Sequence, residues 1–161
     1  MRPALATLLA LLCAPALAQD AAAPAPPAGD PVAARLAERG IEYDIDQDGD
    51  YRVVYSWTHE ERSQLVFVSG RAEEVGGKRI RQVFAPAARL SGDLDAAAAN
   101  GLLRDSQTRK LGAWEISGDI LYYVVKLPEE SDAAMLELAM SAAAEIADDK
   151  ELELTGGQDD L

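Results

Sequence analysis

The sharpest candidate for chemistry in this chain is Asp44-Ile45-Asp46-Gln47-Asp48-Gly49-Asp50. It matches D-x-D-x-D-G, the opening of a calcium loop in which carboxylates at alternate positions converge on one ion. The remainder departs from that pattern. The twelfth position counted from Asp44 is Tyr55, where a bidentate glutamate is required, and Arg52 stands at the ninth. Strand-like rather than helical residues flank it, so the reading it competes with is an acidic hairpin turn. An extended strand points Asp44 and Asp46 to one face without wrapping them round a cation.

Other groups are weaker. His59 is the only histidine, beside Glu60 and Glu61. A lone histidine suits a general base, but adjacent residues do not converge on one point, and an exposed loop is the expectation. No serine lies in a G-x-S-x-G setting; Ser69-Gly70 and Ser117-Gly118 read as turns. Acidic residues are too widespread to single out a pair for glycoside hydrolysis, so a hydrolase using dispersed carboxylates is only a third reading. Arg71, Lys78, Arg79, Arg81 and Arg89 form a basic interval, read either as a docking strip for an acidic partner or as internal pairing. Tyr51, Tyr55 and Trp57, with Trp114, Tyr122 and Tyr123, either line a peptide groove or fill a core; the core is expected. No catalytic, cofactor-binding or metal-binding residue is assigned, and no cofactor is expected.

These residues must be positioned by a short chain. The sequence has 161 residues, and its first 18 read as an export signal. Arg2 is the n-region, Ala4 to Leu12 the apolar run, and Ala16-Leu17-Ala18 the small-residue cleavage site. The run is too short to span a bilayer. Cys13 suggests a lipoprotein instead, but Leu12 is not the small residue that lipidation requires. Cleavage removes the only cysteine, so a thiol nucleophile or Cys-based metal site is excluded from the mature form, which must hold together by its core. The formal charge of −13 becomes −14 when Arg2 leaves. Such a chain repels phosphate backbones and anionic membranes, so neither nucleic acid nor, after cleavage, membrane is an expected partner. Location is expected to be periplasmic or secreted.

Residues 19–30 form an Ala/Pro-rich linker without large apolar side chains. Residues 31–155, about 125 in number, suffice for one domain, and 156–161 are an acidic tail. Within the domain, Asp30 caps a helix that begins at Pro31 and ends at Gly40. Ile41 to Asp46 and Tyr51 to Trp57 form a hairpin about Asp48-Gly49. Ser63 to Ser69 is a strand apolar on both faces, hence central. Glu73 to Lys78 is a loop around Gly76-Gly77, followed by a strand from Arg79 that Pro86 stops. A helix runs from Leu94 to about Arg109, capped by Asp93, with Leu94, Ala98, Leu102 and Leu103 as its buried stripe and a weak point at Asn100-Gly101. The cleanest hairpin, Leu111 to Leu127, turns at Gly118-Asp119. The last helix is capped by Ser131 and carries Asp132 in its first turn. Its buried stripe is Met135, Leu138, Ala139, Ala142 and Ile146, and Gly156-Gly157 closes it. The order predicts an α+β domain: an antiparallel sheet of five to six strands with three helices on one face.

That order, with Leu102-Leu103 and then Leu111-Gly112-Ala113-Trp114-Glu115-Ile116, resembles the YbjN family and the type III secretion chaperone-like fold related to it. The resemblance covers about Val32 to Leu154. It implies a regulatory or protein-interaction role without enzymatic activity and, from the chaperones, a dimer or a domain that binds extended segments of other proteins. It supplies no active-site residue. An unknown protein partner or a homodimer is therefore the expectation, with a calcium-dependent module built on Asp44 to Asp50 as the alternative.

Overall fold

The computed structural model describes residues 29–57 and 62–155. The predicted signal, most of the linker, His59 with Glu60 and Glu61, and the acidic tail lie outside the described residues.

Helix α1 (Pro31–Glu38) begins where the sequence requires it. Proline fills the first position, where its missing N–H costs nothing, and the Asp30 carboxylate accepts from the Val32 N–H at 2.8 Å. Val32 and Leu36, four residues apart, are its buried stripe. Then follow β1 (Asp44–Ile45), β2 (Tyr51–Trp57), β3 (Arg62–Val68), β4 (Glu73–Val75), β5 (Lys78–Arg89), α2 (Ala96–Thr108), β6 (Ala113–Ser117), β7 (Ile120–Pro128) and α3 (Ala133–Thr155). The fold is α+β, with three helices and one antiparallel sheet in the order β1-β2-β3-β5-β7-β6; β4 pairs with β5 off that path. Helix α3 lies across β3, β5 and β7, and α1 packs beside it.

Two strands depart from expectation. Glu73 to Lys78 is no plain loop: Gly76 and Gly77 at φ +57° and +75° form a two-residue turn, and Glu73–Val75 folds back on β5 as an extra strand. Pro86 does not end β5, which continues to Arg89 through a bulge between Pro86 and Ala88. The ladder between β3 and β5 registers only at Phe67–Phe84 and Val68–Val83. By Pro86 the strands have parted, so its missing N–H deprives no neighbour. Gln64, 1 % exposed, donates from Nε2 to the Pro86 carbonyl at 2.7 Å, so that this acceptor is satisfied where β3 no longer pairs with β5.

The helices also correct the sequence reading. Helix α2 is capped by Asp95, not Asp93, through the Ala98 N–H at 2.8 Å, and it runs unbroken through Asn100-Gly101. None of its residues is buried: Leu102 is half-buried, Ala98 is exposed and Leu103 is 67 % exposed. Asp132, not Ser131, caps α3, accepting from the Met135 N–H at 2.8 Å. The buried face of α3 is Leu136, Ala139, Met140, Ala143, Ala144 and Ala147, with Leu138 exposed. In a helix so rich in alanine the apolar phase is poorly marked, and Asp148 and Glu151 on the buried face disguise it further. Arg62 holds both, at 2.8 and 3.5 Å.

Candidate interaction surface

The aspartate loop is used up in building a turn. Asp46 Oδ1 accepts from the Asp48 N–H at 3.0 Å and the Asp50 N–H at 2.8 Å, an Asx arrangement that closes the β1–β2 hairpin. Asp44 pairs outward with Arg52 at 3.0 Å. Asp50 points to the other end of the turn and accepts from the Gly70 N–H at 2.8 Å. A Cβ on Gly70 would lie 1.9 Å from the Gly49 carbonyl oxygen, so glycine is what lets the two turns touch. Burial pushes the Asp50 carboxyl above its ordinary value, against the lowering by Gly70; Asp46 and Asp48 push the same way as burial. Among the described residues, no three His, Cys, Asp or Glu side chains gather as a metal would need.

The other candidates sort in the same manner. Ser69 Oγ accepts from the Gln82 N–H at 3.0 Å, and Ser117 ends β6 on the surface. The basic interval is dispersed into braces: Lys78 to Glu130, Arg79 to Glu129, Arg89 to Asp119, and Arg81 to both Glu129 at 2.6 Å and Asp30 at 3.4 Å. Arg81 is 4 % exposed and also donates to the Ser69 carbonyl. Lys78, Arg79 and Arg81 tie β5 to the end of β7, Arg81 alone reaches the start of α1, and Arg89 holds the β6–β7 turn. Held by Arg79 and then Arg81, Glu129 is brought down to about 2.

The aromatic residues divide between the two faces of the sheet. Tyr51, Tyr55 and Trp57 point toward the helices. Tyr51 is fully buried against Tyr43, ring centroids 5.1 Å apart, and Tyr55 lies 3.4 Å from Ser141 of α3. Trp114 and Tyr123 meet edge to face at 5.1 Å on the same side. Tyr122 lies on the opposite face, and there it has company that the sequence did not reveal. Phe67 stacks on Phe84 at 5.2 Å, and Phe84 meets Tyr122 edge-on at 5.7 Å. Registers Phe67–Phe84 and Pro86–Tyr122 carry this ridge diagonally over β3, β5 and β7. Leu65, Ile80 and Val54, the last 55 % exposed, share the face. All three ridge rings are half-buried. Helical contacts with side chains of the sheet fall on the other face, through Ser141, Asp148 and Lys150. Among the described residues, no helix covers the ridge. The available signal was that β3 is apolar on both faces. That pattern placed β3 centrally and left unstated that one of its faces is open.

The edges differ too. Helix α2 guards β6: the Trp114 N–H donates to Ser106 Oγ at 3.0 Å, and the Trp114 indole to Asp105 at 2.7 Å. At the other edge β1 pairs with β2 only at Tyr51 and Arg52.

Comparison with known proteins adds no relative: no family model matches the chain, and no curated protein matches it. Among the described residues, no helix is long and apolar enough to cross a membrane.

Proposed function

We propose that this chain is an exported, YbjN-like, non-enzymatic domain that binds a segment of another protein on its open sheet face. The observation that carries the reading is the Phe67–Phe84–Tyr122 ridge, three aromatic rings of which each touches the next, on a face that no helix covers among the described residues. Aromatic rings give large contact area at small cost in side-chain entropy, and clusters of them mark protein-binding surfaces. The groups that resemble catalytic or metal-binding residues serve the fold instead: Asp46 and Asp50 hold turns, Ser69 holds β5, and Arg81 holds α1. The resemblance to YbjN proteins and secretion chaperones agrees with an interaction role.

The test is capture from an envelope extract with the mature domain as bait, in parallel with an F84S/Y122S variant. A partner enriched by the wild type and lost with the variant is expected. Equal recovery by both baits, or none by either, overturns the reading.

Self-assembly is the second reading, and a specific observation favours it. Helix α2 contributes no buried residue and leaves Leu103 67 % exposed, and on the edge strand β6 Ile116 is 51 % exposed. Light scattering decides it: a dimer that L103E converts to monomer supports this reading, and a wild-type monomer at high concentration ends it.

A further inference from the structure

We infer that the segment docked on the open face is cationic as well as apolar, with a lysine or arginine side chain seated in the cavity at the Asp48 end of the ridge. The inference rests on the interaction reading above and goes further by naming the chemistry of the partner.

The cavity continues the ridge. It measures about 540 Å³, and its lining includes the ridge residue Phe84 together with Gln82, Asp48, Asp50, Glu73 and Arg71. It lies between the β1–β2 turn and the β4–β5 hairpin, the two turns that rise at one end of the face. Three carboxylates there oppose one guanidinium. An aromatic ring beside excess negative charge suits an ammonium or guanidinium group, which gains from both the carboxylates and the ring face.

The chain's overall charge narrows the occupant. With a formal charge of −13 it repels nucleic acid and anionic lipid alike. A basic protein segment is drawn in by the same field, and its apolar side chains then meet Phe67, Phe84 and Tyr122. Attraction of this kind fixes orientation and accelerates encounter more than it tightens the complex.

The probe is a capped nonapeptide of alternating valine and arginine, with valine–glutamate and valine–serine peptides as controls, titrated into the mature domain by calorimetry and followed by amide NMR. The arginine peptide is expected to bind, shifting amides of β3, β5 and β7. D48N/E73Q leaves the turn-forming groups of Asp46 and Asp50 in place and should weaken binding about threefold to tenfold, the value of two exposed ion pairs. Raising the salt should weaken it in the same direction. If the serine or glutamate peptide binds as well as the arginine peptide and F84S/Y122S abolishes both, the charge inference fails while the open-face reading stands. If the arginine peptide binds but F84S/Y122S changes nothing, the open face is not its site and both fail. No binding by any peptide overturns the charge inference, and the capture experiment alone then decides the broader reading.

Discussion

Arg81 gives the severest test of how this domain is held together. Its guanidinium is 4 % exposed, lies 2.6 Å from Glu129 and 3.4 Å from Asp30, and donates to the Ser69 carbonyl. Truncation in R81A leaves the Asp30 carboxylate, itself the cap of α1, without its cation beside the buried Tyr51. Breaking a buried pair by removing one partner costs about 3–5 kcal/mol. Arg79 still compensates Glu129, which places the expectation near the lower figure, about 3 kcal/mol. For a domain of this size that lowers Tm by roughly 10–15 °C. R81M, which keeps the apolar stem, should recover only the packing part. Urea unfolding followed by far-UV circular dichroism measures both, and the E129A and R81A/E129A variants complete a cycle. The double variant should lose less than the sum of the singles by about 1–2 kcal/mol. A cost for R81A below about 1 kcal/mol, or simple additivity, would refute the claim that this node anchors α1 to the sheet.

Glu129 makes the same node sensitive to acid. Its folded value of about 2 lies below the ordinary 4.5, so its contribution is complete above pH 4.5 and is lost as pH falls toward 2. With Arg79 largely in water, screening reduces this to about 1–2 kcal/mol. E129Q should flatten the difference in unfolding free energy between pH 6 and pH 3 by that amount. Two glycines at positive φ should separate cleanly. At Gly112, φ +78°, a Cβ would lie 2.5 Å from the Val124 carbonyl oxygen, and G112A is expected to cost about 3 kcal/mol or more in urea unfolding. Gly118, φ +61° with nothing within 4 Å, should cost only about 1 kcal/mol as G118A. Because Asp105 clamps α2 through the Trp114 indole, D105A should speed amide exchange in Ala96–Thr108 about tenfold or more while α3 keeps its protection.

The elements that were legible carry local signals strong enough to decide alone. Asp30-Pro31 starts α1, Gly118 turns β6 into β7, and the alternation in Tyr51 to Trp57 fixes which side of β2 is buried. The errors fall where a partner distant in sequence decides the outcome. Pro86 ends a strand where a neighbour needs its N–H, but β3 has parted from β5 by that point, and Gln64, twenty-two positions earlier, satisfies its carbonyl. Asp148 and Glu151 mark a wet face unless an arginine waits beneath them, and Arg62 does. Helix α2 carries a leucine stripe, but its docking is decided by the polar side of the helix, where Asp105 and Ser106 grip Trp114.

The same distinction explains why the open face was hidden. Phe67, Phe84 and Tyr122 are separated by 17 and 38 positions, and each taken singly looks like a core residue of its own strand. Only the register of β3 on β5 and of β5 on β7 brings them into one ridge, and α3 lies on the far side, so that among the described residues no helix covers the ridge. The acidic turn has the opposite history. Its pattern was plain in the sequence, yet the carboxylates of Asp44, Asp46 and Asp50 are bound to Arg52 and to backbone N–H groups, so most of a conspicuous local motif became a structural part. In a small domain whose described polar motifs largely build turns and caps, the proposed function falls on a surface assembled across strands. The open face is such a surface, and its ridge, with the Asp48 carboxylate at one end of it, is where substitutions should separate binding from folding.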